Sequence, residues 1–273
     1  MAKISVVMGV YNPVDFARLE RAVGSIIDQT FKDWELIIYN DGSAPLYSAG
    51  ILQLEKLDRR IKVIQSSKNQ GLAHALNCCI SASIGEYIAR MDDDDFSFNT
   101  RLDTQYNFLK AHAQFGWVGS SAVMADSGGI WGKSLKPAHP QKYDFLFNSP
   151  FIHPTVMFKK SVLLKCGAYS EDKSVLGLED YELFIRLKCM GYEGYNLKAP
   201  QLIYYEDLSS YKRRTYKRRL GEFKLRIAGF KKLGILKPRW FFYIIKPLVV
   251  GMVPARILHY YKKRRGQKIF ENG

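Results

Sequence analysis

The sequence predicts an α/β protein, with a mostly parallel sheet flanked by helices, a small antiparallel extension, and a basic, partly amphipathic helical tail at the C-terminus. Three observations predict this class. Apolar runs alternate with helix-period segments in the first half of the chain, polar or acidic groups follow each run, and the excess of positive charge lies after residue 207. The 273 residues are 47% hydrophobic and 14% aromatic, which excludes a disordered or low-complexity chain.

Four short apolar runs are predicted to form strands, and helix-period segments lie between them. The first run, residues 4–8, is uninterrupted, as expected for a strand that is covered on both faces. A helix is predicted to begin at Asp15, and another to occupy residues 72–80. The remaining predicted strands are residues 34–39, 61–65 and 86–91. This β-α-β order places the strand ends at one ligand crevice.

The second half of the body is predicted to add a hairpin and one more helix. Residues 117–125 form the first strand of the hairpin, residues 126–129 its turn, and the return strand runs through Trp131. Glu179 and Asp180 introduce the helix. We interpret residues 1–207 as one working domain, because no linker interrupts them, and residues 208–273 as a separate basic helical region.

The tail, residues 208–273, contains 19 of the 41 Lys and Arg residues but only two of the 26 acidic residues. Its apolar block at 240–258 is broken by charged residues, Pro and Gly, and a membrane-spanning helix needs about 20 apolar residues. We therefore predict an interfacial helix on an anionic membrane. The alternatives are that the block packs on the body, or that the basic clusters bind nucleic acid, for which no recognised motif is present.

Four consecutive aspartates, Asp92–Asp95, follow the fourth predicted strand. Like charges at contact distance raise one another's pKa, so such a cluster needs a counter-ion. Oxygen ligands without nearby His or Cys favour Mg²⁺ or Mn²⁺, held by one or two carboxylates and phosphate oxygens. Alternatively, Asp94 or Asp95 caps the next helix, but capping accounts for one aspartate and not for four.

Turn-forming and polar residues also follow the other strands. Val10, Tyr11 and Asn12 follow the first strand, and Asn69 follows the third. Asp41 lies in an Asn-Asp-Gly-Ser turn after the second strand. Asp41 is either an ordinary turn residue or a carboxylate that accepts a hydrogen bond from a base or a ribose, and Tyr11 is either a core-edge aromatic or a platform for a base.

Seven segments together resemble the family 2 glycosyltransferases, inverting enzymes with the GT-A fold. The segments are VVMGVYN, SIIDQTFKDWELII, NDGS, NQGLAHALN, GEYIARMDDDD, FIHPTVMF and LEDYELFIRL. They occur in the family's order between about residues 3 and 206. The resemblance implies a divalent metal and a nucleotide-sugar donor, usually linked to UDP. Many members also carry an Arg and a His that close over the donor, where this chain has Glu206 and Asp207.

The resemblance also implies residue roles. Asp180 is the catalytic base, which takes the proton of the acceptor hydroxyl, although a helix acid alone is an N-cap or first-turn residue. Near the acceptor lie Glu179 and His153, the latter equally interpretable as a structural histidine. The remaining roles concern the donor and its metal: Tyr11 and Asp41 at the base, Val10, Asn12 and Asn69 beside them, Asp94 nearest the metal, Asp92 supporting it, and Asp93 at the ribose or donor sugar.

The sequence therefore predicts a metal-dependent inverting glycosyltransferase that acts on a lipid-linked glycan in polysaccharide or cell-envelope biosynthesis. We expect a cytoplasmic protein at the inner face of the cell membrane, without a nucleic-acid partner. The N-terminus is interpreted as a strand and not as a signal peptide, and the four cysteines fit a reduced setting. The alternatives are a nucleotidyltransferase acting on sugar phosphates, for which a Gly-rich phosphate loop is lacking, and a non-catalytic sugar-nucleotide binding protein.

Overall fold

The computed structural model describes residues 2–212 and 214–271, and these residues have the predicted α/β architecture. The strands are β1 (Ile4–Val10), β2 (Trp34–Asn40), β3 (Ile61–Gln65), β4 (Tyr87–Arg90), β5 (Phe96–Ser97), β6 (Phe115–Ser120), β7 (Ala122–Asp126), β8 (Gly129–Ser134), β9 (Met157–Lys159), β10 (Glu193–Leu197) and β11 (Leu202–Tyr205). The helices are α1 (Phe16–Ile27), α2 (Pro45–Gln53), α3 (Leu72–Ala82), α4 (Arg101–Ala111), α5 (Lys160–Lys165), α6 (Glu179–Cys189), α7 (Leu208–Lys212), α8 (Tyr216–Lys232), α9 (Phe241–Gly251) and α10 (Ala255–Glu271).

The central sheet has the strand order β10-β6-β9-β4-β1-β2-β3. Strand β9 runs antiparallel to both of its neighbours, and the other pairs are parallel. Because apolar layers cover both faces of this sheet, its inner strands are apolar on both sides, as expected for a parallel sheet. The four strands predicted before residue 92 are confirmed as β1 to β4.

The helices supply the two covering layers. Leu76 of α3 and Phe184 of α6 pack in the layer on one face, and Ile26 of α1 and Leu102 of α4 pack in the layer on the other. The start of α1 is fixed by Asp15, whose carboxylate accepts the backbone N–H of Arg18 at 3.3 Å. The helix predicted to begin at Asp15 is therefore confirmed.

A second, smaller sheet has the order β5-β11-β7-β8 and forms the extension. Its β7–β8 hairpin turns at the predicted residues, 126–129. The predicted first strand, 117–125, was wrong in one respect, because it is divided at Ser121. Strand β6 joins the central sheet and β7 joins the second, so one apolar run passes from one sheet to the other.

The tail packs on the body through α8 and the inner face of α9. Arg226 of α8 is fully buried and donates from Nη1 to Leu146 O at 2.7 Å and to Tyr243 O at 3.1 Å. Ile244 of α9 enters the same core layer as α6, and Tyr243 packs edge-to-face on Phe147 at 5.1 Å. Among the helices of residues 2–212 and 214–271, none combines the length and the hydropathy that a membrane-crossing segment needs.

Helix α10 packs against β8 through a close approach of two glycines. A Cβ atom added to Gly132 would collide with the backbone of Gly266, and one added to Gly266 would lie 2.5 Å from the Trp131 ring. Lys263 of α10 pairs with Asp126 beside the hairpin turn at 2.7 Å. Only residues without a side chain fit at this crossing, so it fixes the position of α10 on the second sheet.

This close approach predicts a selective loss of stability. Gly132→Ala forces α10 away from β8, and we expect the free energy of unfolding to fall by about 1–3 kcal/mol, as overpacking does elsewhere. Gly24→Ala is the matched control, because a Cβ atom there, in the middle of α1, meets nothing within 4 Å. Urea unfolding measures both variants; equal stabilities would contradict the packing of α10 on β8.

Candidate active site

The donor-side and metal-side candidates gather where β1, β2 and β4 end. Strand pairing aligns Val10 with Asn40, and Val7 with Arg90, so the segments after these strands emerge at the same edge of the sheet. Asp92 to Asp94 follow β4, and Asp41 follows β2. This is the edge at which open α/β sheets bind ligands.

Three carboxylates form a compact cluster at this edge. One oxygen each from Asp92, Asp94 and Asp95 lies within 4.8 Å of the others. Asp95 Oδ1 accepts the backbone N–H of Tyr205 at 2.8 Å, while its Oδ2 is buried without a hydrogen-bond partner among the described residues. Burial and the charges of Asp92 and Asp94 raise the pKa of Asp95 well above its ordinary value. An all-oxygen set with an orphaned buried oxygen fits a hard divalent cation.

The capping alternative for these aspartates is excluded. The N-cap of α4 is Thr100, and β5 lies between the aspartates and that helix. The resemblance assigns no ligand role to Asp95, yet it is the most deeply buried member of the cluster. On the other side of the cluster, the buried guanidinium of Arg90 forms an ion pair with Asp92.

Asp41 joins two loops at the predicted nucleobase position. Its Oδ1 accepts the backbone N–H of Gln70, and its Oδ2 that of Gly71, both at 2.8 Å. The carboxylate is therefore buried between the loops rather than open to the crevice. Gly42 allows this approach, because its φ is +73° and any Cβ there would collide with the backbone of Lys68.

The other donor-side candidates line the same loops. Val10 is buried at the end of β1, whereas Tyr11 is 51% exposed and presents its ring to solvent. Asn12, at a φ of +43°, accepts the backbone N–H of Ala44 at 2.8 Å and so holds the loop after β2. Asn69 is exposed beside the Asp41 loop. Tyr11 and Asn69 are thus the most exposed of these residues.

Asp180 is the second residue of α6 and is partly buried. The N-cap of this helix is Leu178, so Asp180 is not a cap, although it is a first-turn acid favoured by the helix dipole. Burial raises the pKa of Asp180, against the opposing effects of Arg218, Arg90 and Lys136. A partly exposed carboxylate with a raised pKa is suited to accept a proton.

Glu179 is buried at the start of α6 and bonded to backbone. Its Oε1 accepts the backbone N–H of Gly177 at 2.7 Å, and burial raises its pKa. Gly177 has a φ of +76° in the turn that leads into α6, and its bond to Glu179 stabilises this turn. Glu179, which was predicted to lie on the acceptor side, therefore has a carboxylate that is already bonded to backbone.

His153 lies in a short turn before β9 and is paired with Tyr169, Nε2 to the phenol oxygen at 2.7 Å. Burial and the nearby Arg90 hold the pKa of His153 well below its ordinary value. The imidazole is therefore neutral at pH 7 and cannot supply a positive charge to the site. Both of its interpretations, acceptor-side and structural, are compatible with a neutral ring.

The segment after β11 supplies charged residues that the motifs do not indicate. Glu206 is 1% exposed in its side chain and pairs with Arg214 at 2.8 Å and with Lys262 of α10 at 2.5 Å. The Tyr211 hydroxyl also donates to it, at 3.1 Å. In the sequence, Glu206 is visible as an acidic residue at a strand end, followed by a strongly basic tail. Which basic residues pair with Glu206 depends on how that tail folds.

Sequence comparison assigns the chain to a family of known proteins. The profile of Glycosyl transferase family 2 matches residues 5–167. A Bacillus subtilis protein named as a glycosyltransferase, EpsE, is 34% identical over 268 residues, which cover 96% of this chain and 94% of that protein. WbnJ of Escherichia coli, named as an O-antigen biosynthesis glycosyltransferase, is 34% identical over 191 residues, covering 67% of this chain and 71% of that protein.

Solved structures share the fold at low sequence identity. TarS residues 1–349 of S. aureus, solved with UDP, has a TM-score of 0.63 and 16% identity, covering 88% of this chain and 72% of that one. The mannosyltransferase PcManGT of Pyrobaculum calidifontis, solved with GDP-Man and Mn²⁺, has a TM-score of 0.62 and 16% identity, covering 98% and 83%. With the family match, these likenesses lead to one conclusion: the chain belongs to glycosyl transferase family 2 and is a glycosyltransferase with the GT-A fold.

Proposed function

We propose that this enzyme is a metal-dependent inverting glycosyltransferase that takes its sugar from a nucleotide-sugar donor. The observation that carries the proposal is the cluster of Asp92, Asp94 and Asp95, with carboxylate oxygens within 4.8 Å of one another. In a protein without a bound cation such a cluster is destabilised by its own repulsion. A divalent cation supplies the missing positive charge, and oxygens of the donor diphosphate fill its remaining coordination positions.

Asp94 holds the metal, Mg²⁺ or Mn²⁺, with Asp92 in support, and Asp93 faces the ribose or the donor sugar. The buried Asp95 oxygen without a partner among the described residues belongs to a side chain of the same cluster. When bound, the metal offsets the negative charge that builds up on the departing diphosphate. PcManGT, which shares the fold, was solved with Mn²⁺, and this supports a divalent cation here.

The nucleotide lies along the ends of β1 and β2. Tyr11 offers an exposed ring on which a base can stack, and Asn69 an accessible amide. Asp41 acts at the base through the loop that it fixes, because its two oxygens already accept backbone N–H groups. Structural relatives were solved with UDP, UDP-GlcNAc and GDP-Man, which supports the nucleotide-sugar class. The preference for UDP rests on the resemblance to family 2.

Asp180 is the catalytic base. The acceptor hydroxyl attacks the anomeric carbon from the face opposite the nucleotide, so its proton must be taken on that face. As the new carbon–oxygen bond forms, the bond to the diphosphate breaks, the proton passes to Asp180, and the anomeric configuration inverts. Because the pKa of Asp180 is raised, activity is lost as the pH falls through that value.

The acceptor is a hydroxyl of a lipid-linked glycan used in polysaccharide synthesis. Two relatives support this class by their names, WbnJ for O-antigen and AmsE of Erwinia amylovora for amylovoran; AmsE is 26% identical over 274 residues. A lipid-linked acceptor requires the enzyme to work at a membrane surface. We place the enzyme on the inner face of the cell membrane, where its basic tail meets anionic lipids.

Helix α9 is the membrane-facing element of the tail. Its inner face packs on the body, but Phe241 is 60% exposed, Phe242 64%, and Met252, which follows it, 70%. Lys237 and Arg239 are exposed just before this helix. Aromatic side chains beside basic ones form the pattern of a helix that lies among anionic headgroups.

The two rival functions are less compatible with the site. A nucleotidyltransferase needs a Gly-rich, basic loop to hold a triphosphate, and the segment after β1 contains no Lys or Arg before Arg18. A non-catalytic sugar-nucleotide binding protein has no need for a base with a raised pKa, whereas Asp180 has one.

Two variants separate the roles of the base and the metal ligand. Asp180→Asn removes the proton acceptor, and we expect transfer to fall at least about 10²-fold while donor binding stays nearly intact. Asp94→Ala removes a metal ligand, and we expect both metal and donor binding to weaken. Isothermal titration of the nucleotide, with and without Mn²⁺, and a transfer assay measure these effects.

Asp33→Asn is the control for these variants, because this exposed residue precedes β2 at the opposite end of the sheet. It should bind donor and transfer sugar as the unmodified protein does. Full transfer activity in Asp180→Asn would disprove the base assignment, and unaltered metal binding in Asp94→Ala would disprove the metal site.

The membrane proposal predicts a specific loss of vesicle binding. Replacing both Phe241 and Phe242 with Ser removes two rings that are buried on insertion, and we expect the partition coefficient for vesicles with anionic phosphatidylglycerol to fall at least about tenfold. Leu46→Ser is the control, since Leu46 is also a highly exposed apolar residue, 83%, on α2 of the body. Equal sedimentation of all three proteins with the vesicles would contradict the role of α9.

A further inference from the structure

A cysteine, a histidine and a glutamate form a hydrogen-bonded chain beside α3, away from the acidic cluster. His74 and Cys78 are four residues apart on α3 and therefore share one face of the helix. Cys78 Sγ lies 3.4 Å from His74 Nε2, and His74 Nδ1 lies 3.0 Å from Glu171 Oε2. These two contacts use opposite nitrogens of the imidazole, so the three groups form a proton relay and not a set of ligands around one metal.

The neighbours of His74 determine which of its nitrogens carries the hydrogen. Glu171 is ionised at neutral pH, because hydrogen bonds from Asn77 and His74 lower its pKa, and an ionised carboxylate can only accept a hydrogen bond. On the other side of the ring, the amide Nε2 of Gln70 donates to His74 Nε2 at 2.9 Å. The hydrogen therefore lies on Nδ1, and the lone pair of Nε2 faces the amide of Gln70 and the thiol of Cys78.

A thiol next to a base that is itself oriented by a carboxylate has the arrangement of an activated nucleophile. The orienting carboxylate is held in turn, because Asn77 Nδ2 donates to Glu171 Oε1 at 2.8 Å. Cys78 is half-buried, so part of its surface is open to solvent. Its thiol can therefore meet a small reagent while it remains in contact with His74.

The other three cysteines are placed differently. Cys79 is fully buried, and burial raises the pKa of its thiol to about 12. Desolvation also raises the pKa of Cys166, which is buried, and of Cys189, which is exposed. A raised pKa keeps a thiol protonated and therefore unreactive.

We propose that Cys78 is a reactive thiol that exchanges with low-molecular-weight disulfides, with His74 as its general base and Glu171 as the residue that orients His74. The S–H proton passes to His74 Nε2, and the thiolate attacks one sulfur of the disulfide. A bond forms between Sγ and that sulfur while the disulfide bond breaks, and the leaving thiolate takes the proton from His74. The sulfur of Cys78 is oxidised, and the released sulfur is reduced to a thiol.

Gln70 connects this site to the nucleotide loop. Its side chain donates to His74, and its backbone N–H donates to Asp41 Oδ1 at 2.8 Å. Modification of Cys78 removes the S–H group beside Nε2 and adds a bulky group there, so the side chains of His74 and Gln70 must readjust. We expect nucleotide binding to weaken as a result. This expectation rests on the proposed function, since it takes the loop of residues 69–71 as part of the donor site.

The test measures how fast each cysteine of the full chain is modified by oxidised glutathione at neutral pH. Tandem mass spectrometry of proteolytic peptides follows each site and distinguishes Cys78 from the adjacent Cys79. We expect Cys78 to be modified faster than the more exposed Cys189. His74→Gln retains a hydrogen-bonding side chain but no base, and modification of Cys78 should slow at least about tenfold.

Two further variants make the rates specific. Glu171→Gln keeps an acceptor for the Nδ1 hydrogen but removes the negative charge, so modification of Cys78 should slow here too; this variant carries the test if His74→Gln does not fold. His112→Gln is the matched control, because it replaces another partly buried histidine, bonded to Phe108 O at the end of α4. The rate at Cys78 should not change in the control.

Isothermal titration with UDP and with GDP, in the presence of Mn²⁺, measures the effect on the nucleotide loop. Protein modified at Cys78 should bind its nucleotide at least about fivefold more weakly than untreated protein, and dithiothreitol should restore the affinity. Cys78→Ser, treated with oxidised glutathione in the same way, should keep the affinity that it has before treatment.

The possible failures can be told apart. A rate at Cys78 that does not exceed the rate at Cys189, or that is unchanged in both His74→Gln and Glu171→Gln, overturns the reactive thiol. Equal nucleotide affinities of modified and untreated protein overturn the link to the loop. A protein that binds neither nucleotide before treatment contradicts the proposed function instead, and the modification rates still decide the role of Cys78.

Discussion

Repulsion among carboxylates gathered at one edge of the sheet is the constraint on which the site depends. Asp92, Asp94 and Asp95 approach within 4.8 Å, and the charges of the first two raise the pKa of the third. Positive charge must therefore reach this edge from several directions. Arg90 brings it from within the sheet, and in the proposed reaction a divalent cation brings the rest together with the donor. The charge of Arg90 also lowers the pKa of Asp180, the proposed base.

The basic tail balances another buried carboxylate, Glu206, at the end of β11. Glu206 follows β11 next to Tyr205, whose backbone bonds Asp95, and it is held by Arg214 and Lys262. The tail is thus attached to the body by ion pairs that reach close to the acidic cluster. Its outward face keeps the aromatic and basic residues of α9 exposed. One segment therefore pairs with a buried carboxylate near the site and offers a surface to the membrane proposed to carry the acceptor.

The sequence was sufficient where structure is determined locally. Apolar runs and helical spacing predicted β1 to β4 and the helix beginning at Asp15, and motif order predicted the GT-A fold. The division of 117–125 between two sheets was missed, since an apolar run looks the same whether or not its strand changes sheets. Asp95 was predicted as part of the run of aspartates but not as a ligand, because its burial depends on Tyr205, 110 residues away in the chain. The bonds of Glu179 and Asp41 to backbone N–H groups were not predicted, because they depend on turns that composition does not reveal.

The central claim is metal-dependent use of a nucleotide sugar, and donor hydrolysis tests it most directly. The purified enzyme is incubated with a panel of UDP-, GDP- and dTDP-sugars and Mn²⁺ or Mg²⁺, with and without EDTA, and the released nucleoside diphosphate is measured. We expect release from one donor class, abolished by EDTA and restored by excess metal. Release that is indifferent to EDTA, or the absence of both release and calorimetrically detected nucleotide binding across the panel, would contradict the claim.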